Sequence, residues 1–214
     1  DRFSSQDLTP VLTRMATANV RNIRLLPCGS DNYPYLMKTG WTINSPDISI
    51  VGYSGLTTGY ASRIWFKPNS YGTSVTPMFS LTQRGFRMKD IVIQNRPWFT
   101  ESNKHNCVAI YMAITNTNKM WYDFDNLAIQ GFDIGIAKVP PSGTNVDGLM
   151  WHCEFHRLLM ALNNKNIYLK GLSYVTKFDN CFLTCNDSGA QSVEFEEGFT
   201  VEFDRCNFGI YNPS

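Results

Sequence analysis

Four acidic side chains, Asp123, Glu154, Glu194 and Glu202, sit in stretches where a strand would turn every second side chain to solvent. Carboxylates held a few ångströms apart can share acid–base work, one donating a proton while the other accepts one or attacks. A different chemistry is invited by His152 and His156, an H-x3-H pair, and by Cys181 and Cys185, a C-x3-C pair. Both are fragments of metal-ligand patterns. No second pair with histidines completes a zinc set around the cysteines. The two histidines bracket a predicted strand, and their spacing does not bring both neatly onto one face. Neither a metal nor a cofactor is therefore expected, and the cysteines read as buried free thiols.

These groups must be positioned by a chain of 214 residues, enough for one large domain or two small ones. Apolar residues make up 43% and aromatics 14%, which fills a core and excludes a disordered chain. Lys and Arg number 19 against 18 Asp and Glu, a net charge of +1, so the basic excess of a nucleic-acid surface is missing. No apolar run approaches membrane-spanning length, and no signal peptide is visible. The first residue is Asp1, not Met, which points to processing or to a piece of something longer. No Pro/Gly-rich linker divides the chain, so residues 1–214 are expected to form one domain.

The first twenty residues read as a helix, with Thr9 as cap, Pro10 at the first position, and Val11, Leu12, Met15 and Ala16 on one face. Almost everything after Asn22 reads as short strands rich in aromatic and β-branched residues, punctuated by Gly, Asn, Asp and Ser. One pattern recurs: an apolar residue, two mostly polar ones, then an apolar one. It is seen at Met88-Lys89-Asp90-Ile91, Phe124-Asp125-Asn126-Leu127, Met150-Trp151-His152-Cys153, Phe178-Asp179-Asn180-Cys181 and Phe203-Asp204-Arg205-Cys206. From Ile91 through Leu127, Cys153 and Cys181 to Cys206 the steps are 36, 26, 28 and 25 residues. Two polar residues between inward apolar ones make a corner between strands, and Asn tolerates the left-handed backbone such a corner needs. If every coil repeats the corner, like stacks on like and the apolar columns fuse into one core. The expected fold is an all-β parallel β-solenoid of roughly seven or eight coils. Cys153, Cys181 and Cys206 would form an interior ladder, and the corner aspartates Asp90, Asp125, Asp179 and Asp204 would bond nearby backbone. A β-sandwich with accidental repeats would lack that ladder.

Three features of the sequence resemble one family: "TPVLTRMATANVRNIRLLPCGSDNYPYLM" (9–37), "INSPDISIVGYSG" (43–55) and the corner repeat. The chain is similar to the right-handed parallel β-helix of the pectin-lyase-like superfamily, and within it to bacteriophage tailspikes and capsular polysaccharide depolymerases. The resemblance implies a right-handed parallel β-helix with a short N-terminal capping helix. It implies a homotrimer in the virion tail, acting at the host surface without entering the membrane or binding nucleic acid. It also implies binding, and hydrolysis by a glycoside hydrolase mechanism, of bacterial surface polysaccharide (capsule or O-antigen). A non-catalytic adhesin, a structural spike segment or a polysaccharide lyase fits the same family, although no aspartate cluster suits the calcium many such lyases use. Family members of this type are longer, and no evident capping element follows "NFGIYNPS", so a fragment is expected.

On the solenoid, alternation points Arg87, Asp123, Lys177 and Glu202 outward before the corner, and Val92, Ala128, Glu154, Phe182 and Asn207 outward after it. Ala109, Tyr111, Gly135 and Glu194 point outward on the remaining strand. The catalytic pool is then Glu194, Glu202, Glu154 and Asp123. Asp123 and Glu202 share a column three coils apart, Glu154 and Glu202 fall on different faces, and Glu194 with Glu202 is the more plausible short pairing. Sugar-binding rings would be Trp121, Trp98, Phe182 and Tyr111, with contact between subunits as their competing role.

Overall fold

The computed structural model describes residues 7–28, 34–53, 61–68, 75–95, 106–113, 120–138, 150–171, 173–185, 192–196 and 199–210. Its one described helix, α1 (Thr9–Thr17), precedes a chain of strands wound three to a coil. The first coil is β1 (Asn22–Arg24), β2 (Tyr35–Met37) and β3 (Trp41–Ile43), and the second is β4 (Ser49–Val51), β5 (Ser62–Phe66) and β6 (Thr76–Leu81). In the next two coils one long strand runs through the corner: β7 (Phe86–Asn95) is followed by β8 (Cys107–Met112), and β9 (Met120–Gln130) by β10 (Ile134–Lys138). The fifth coil is β11 (Met150–His156), β12 (Leu159–Asn163) and β13 (Lys165–Lys170). The sixth is β14 (Ser173–Asp179), β15 (Phe182–Cys185) and β16 (Val193–Glu196), and β17 (Phe199–Asp204) and β18 (Asn207–Ile210) begin a seventh.

Strands pair in parallel with their counterparts in the coils above and below, which makes three faces. The first face runs β1-β4-β7-β9-β11-β14-β17 and the third β3-β6-β8-β10-β13-β16. Between them lie β2, β5, the later halves of β7 and β9, and then β12, β15 and β18. This is the all-β parallel β-helix expected from the repeat, with six coils and part of a seventh. The helix differs from expectation in its cap. Thr9 is the first helical residue and gives its hydroxyl to the Thr39 carbonyl, while its own N–H bonds the Asp7 carboxylate. Leu12 is buried against the first coil, whereas Val11 is exposed.

The corners explain why the sequence repeats. The third residue of each takes a left-handed backbone: Asp90, Asn126, Arg157, Asn180 and Arg205 have φ of 58°, 55°, 52°, 53° and 52°. The residue opening each corner is buried in the third to sixth coils, and from the fourth coil onward it is a phenylalanine; Phe203, in the last described coil, is 37% exposed. Phe124, Phe155, Phe178 and Phe203 stack nearly parallel with ring centroids 5.2, 4.5 and 4.9 Å apart. Offset stacking of this kind adds about 0.5–1.5 kcal/mol per pair beyond the area buried.

One corner is not where the sequence placed it. The fifth coil turns at Phe155-His156-Arg157-Leu158, five residues beyond Met150-Trp151-His152-Cys153, because Phe155 pairs with Phe124 and Phe178. Both windows have the same apolar and polar form, and the phenylalanine stack decides between them. The cysteine ladder is therefore incomplete. Cys181 and Cys206 occupy successive corners, but Cys153 lies within β11 beside Tyr122 and Thr176. The solenoid stands without it. The five described cysteines are free, and burial pushes the thiols of Cys107, Cys153 and Cys181 up to about 12. Ala109 and Gly135 are buried rather than outward, and Val92 and Ala128 are covered in a second small apolar cluster with Ala61.

Candidate functional site

The corrected register gathers chemistry on the first face. Its outward side chains form columns across successive coils, because residues paired between parallel strands repeat at about 4.8 Å. One column reads Arg87, Asp123, Glu154, Lys177, Glu202. The next, at the corner, reads Lys89, Asp125, His156, Asp179, Asp204. Glu154, expected beyond the corner, lies before it and directly opposite Asp123. The two carboxylates most suited to share a substrate are thus Asp123 and Glu154, on neighbouring coils.

A cleft of about 260 Å³ opens here, lined by Arg87, Trp121, Tyr122, Asp123, Trp151, His152 and Glu154. His152 and His156 do share a face with Glu154 between them, contrary to expectation, because both lie on β11 and side chains two apart on a strand point the same way. The Nε2 atoms of His152 and His156 lie 3.3 and 3.2 Å from opposite oxygens of Glu154. Asp123, half-buried, makes no hydrogen bond or ion pair among the described residues. Arg87 stands opposite Asp123 but places its guanidinium over the Trp121 ring, 5.0 Å from the centroid.

Trp151 joins the cleft through a bulge. The pairing of β11 with β9 slips between Met150 and His152, which pushes the intervening Trp151 out of the ladder, where it is 39% exposed. A matching slip between β14 and β17 falls between Ser173 and Thr176, and exposed Tyr174 packs against Trp151 with ring centroids 5.1 Å apart. Bulges re-aim side chains at functional edges. Trp121, Trp151 and Tyr174 so present aromatic surface on three successive coils beside the carboxylate column. Sequence reasoning found Trp121 but missed Trp151 and Tyr174.

The other predicted residues lie elsewhere. Glu202 is in the Asp123 column, three coils away, and faces Lys177 at 3.5 Å. Glu194 is on the third face, bound to Lys165, so it is not on a common sheet with Glu202. Tyr111 shares the outward column of Glu194, three coils back. Phe182 is 44% exposed on the second face, across the corner from the cleft. Trp98 lies outside the described residues. Among the described residues no group of three or more His, Cys, Asp or Glu side chains is arranged to hold a metal ion.

Asp90, Asp125 and Asp179 bond side chains of neighbouring coils rather than their own backbone, while Asp204 pairs with the adjacent Arg205 at 3.6 Å. Asp125 accepts hydrogen bonds from Arg157 Nε and Nη2 at 2.6–2.8 Å and pairs with Lys89 at 2.9 Å. Asp179 pairs with Arg205 at 2.6 Å and lies 3.5 Å from His156 Nδ1. These carboxylates are engaged in holding coils together.

No protein-family model matches the sequence, and no curated protein matches it. Among solved structures, the chain is similar to the full-length tailspike protein 2 of Escherichia coli O157:H7 bacteriophage CAB120. The TM-score is 0.58 at 14% identity, over 97% of this chain and 25% of that one. The likeness is one of fold, and this chain spans about a quarter of the tailspike's length.

Proposed function

We propose that the protein is part of a phage tailspike, that its first face binds a bacterial surface polysaccharide, and that Asp123 and Glu154 hydrolyse it. The observation that carries this reading is the placement of two outward carboxylates directly opposite each other on adjacent coils, in a cleft edged by two tryptophans. Exposed indole faces stack on the CH-bearing faces of sugar rings, and aligned rings on successive coils fit a polymer running along the solenoid axis. Directly opposed residues have Cβ atoms about 4.5–5.5 Å apart. That favours the retaining arrangement, in which the two carboxyls stand about 5–5.5 Å apart. Glu154, oriented by imidazoles at both oxygens, takes the role of nucleophile. Asp123, without a hydrogen bond or ion pair among the described residues, takes that of proton donor to the leaving oxygen. The structural likeness to a tailspike supports the setting.

The experiment is incubation with purified capsular and O-antigen polysaccharides and measurement of new reducing ends. Release is expected from the wild-type chain, falling at least a hundredfold in Asp123→Asn and in Glu154→Gln, with glycan binding kept. Binding without release by the wild-type chain would leave the adhesin reading in place of the enzyme. Products absorbing in the ultraviolet would mark a lyase instead.

A further inference from the structure

Taking the cleft as a glycan site, we propose that its ligand is an acidic polysaccharide and that Arg87 binds a carboxylate of a uronic acid or similar acidic sugar. Register puts Arg87 directly opposite Asp123, where a cross-strand ion pair would ordinarily form. None does: Arg87 makes no ion pair among the described residues. Other basic side chains on this part of the surface are engaged with acids, Lys89 and Arg157 with Asp125, Lys177 with Glu202, and Arg205 with Asp179. Arg87 alone of these lines the cleft, and its guanidinium lies on Trp121, diagonal to it on the same face.

A guanidinium is planar by delocalisation, and stacking on an aromatic ring fixes its position while leaving its fork of N–H donors at the edge, the geometry that takes a carboxylate through two parallel bonds. A neutral glycan has no group that uses such a fork fully. An acidic one would be repelled by Asp123 and Glu154 unless a cation stood beside them, and Arg87 stands one coil, about 4.8 Å, from Asp123. The acidic sugar is therefore bound next to the linkage that the carboxylates address, with Trp151 as the exposed stacking surface.

The test is isothermal titration against a panel of purified bacterial capsular and O-antigen polysaccharides, acidic and neutral. Each acidic one is also presented after carbodiimide–borohydride reduction of its carboxyls. We expect binding to acidic members only, weakened at least tenfold by carboxyl reduction. Arg87→Ala should lose the same factor on the native glycan and nothing further on the reduced one, and Arg87→Lys should fall between. Arg87 is exposed, so far-ultraviolet circular dichroism and the urea midpoint of the variants are expected to match the wild type. Equal binding of reduced or neutral glycan, or an Arg87→Ala variant that binds as the wild type does, would overturn the acidic assignment while leaving the glycan site standing. Absence of binding to every polysaccharide would overturn both.

Discussion

At the scale of single residues, acids of the same type do different work according to their neighbours. Asp123 has no ion pair among the described residues and lines a cleft, whereas Asp125, two residues on, is enclosed by Arg157 and Lys89. Burial raises the Asp125 carboxyl, but the hydrogen bonds from Arg157 and Lys89 outweigh it and hold it below the ordinary 3.8. A carboxyl depressed by folding contributes stability above its unfolded pKa and loses it as pH falls through the folded value. Asp125→Asn should therefore lower the unfolding free energy measured by urea denaturation at pH 7, by the roughly 0.2–1 kcal/mol typical of an exposed pair. The gap from wild type should close as pH drops below 3.8. A gap that persists at pH 2 would mean that Asp125 acts by packing rather than by charge.

At the scale of the element, the unit is the corner. Its third residue must adopt a left-handed backbone, which costs an ordinary L-residue about 1–2 kcal/mol. Asn180 tolerates this at low cost, so Asn180→Gly should leave the melting temperature nearly unchanged. Asn180→Val should destabilise by about 1–2 kcal/mol in equilibrium unfolding. Equal effects of the two would show that the corner is held by contacts and not by conformation. The corner was legible in the sequence wherever a phenylalanine or methionine announced it once. In the fifth coil two windows five residues apart both fitted, and only the stacking of Phe155 between Phe124 and Phe178 separates them. That single slip had consequences. It sent Glu154 across the corner from Asp123 and set His152 and His156 at the two ends of a strand, off a common face. It also hid Trp151, whose bulge exists only when β9 and β11 are laid side by side. The alternation that identifies a strand is local. A site shared by two coils depends on register between them, which no single strand records.

At the scale of the whole molecule, a parallel β-helix turns residues distant in sequence into neighbours along one axis. Asp123 and Glu154 are 31 positions apart and directly opposed, and Trp121, Trp151 and Tyr174 come from three successive coils. The surface is quasi-one-dimensional, as the core is, and a polymer with a regular repeat suits it better than a compact ligand does. The central claim is that a glycan lies along this axis across the Asp123–Glu154 column. Its most direct test is a crystal structure of the Glu154→Gln variant soaked with an oligosaccharide that the wild-type chain binds. The account predicts a sugar ring over Trp151 and an acidic sugar at Arg87, with a glycosidic oxygen between residues 123 and 154. Sugar found instead on the third face, beside Tyr111 and Glu194, or on the second, beside Phe182, would contradict it.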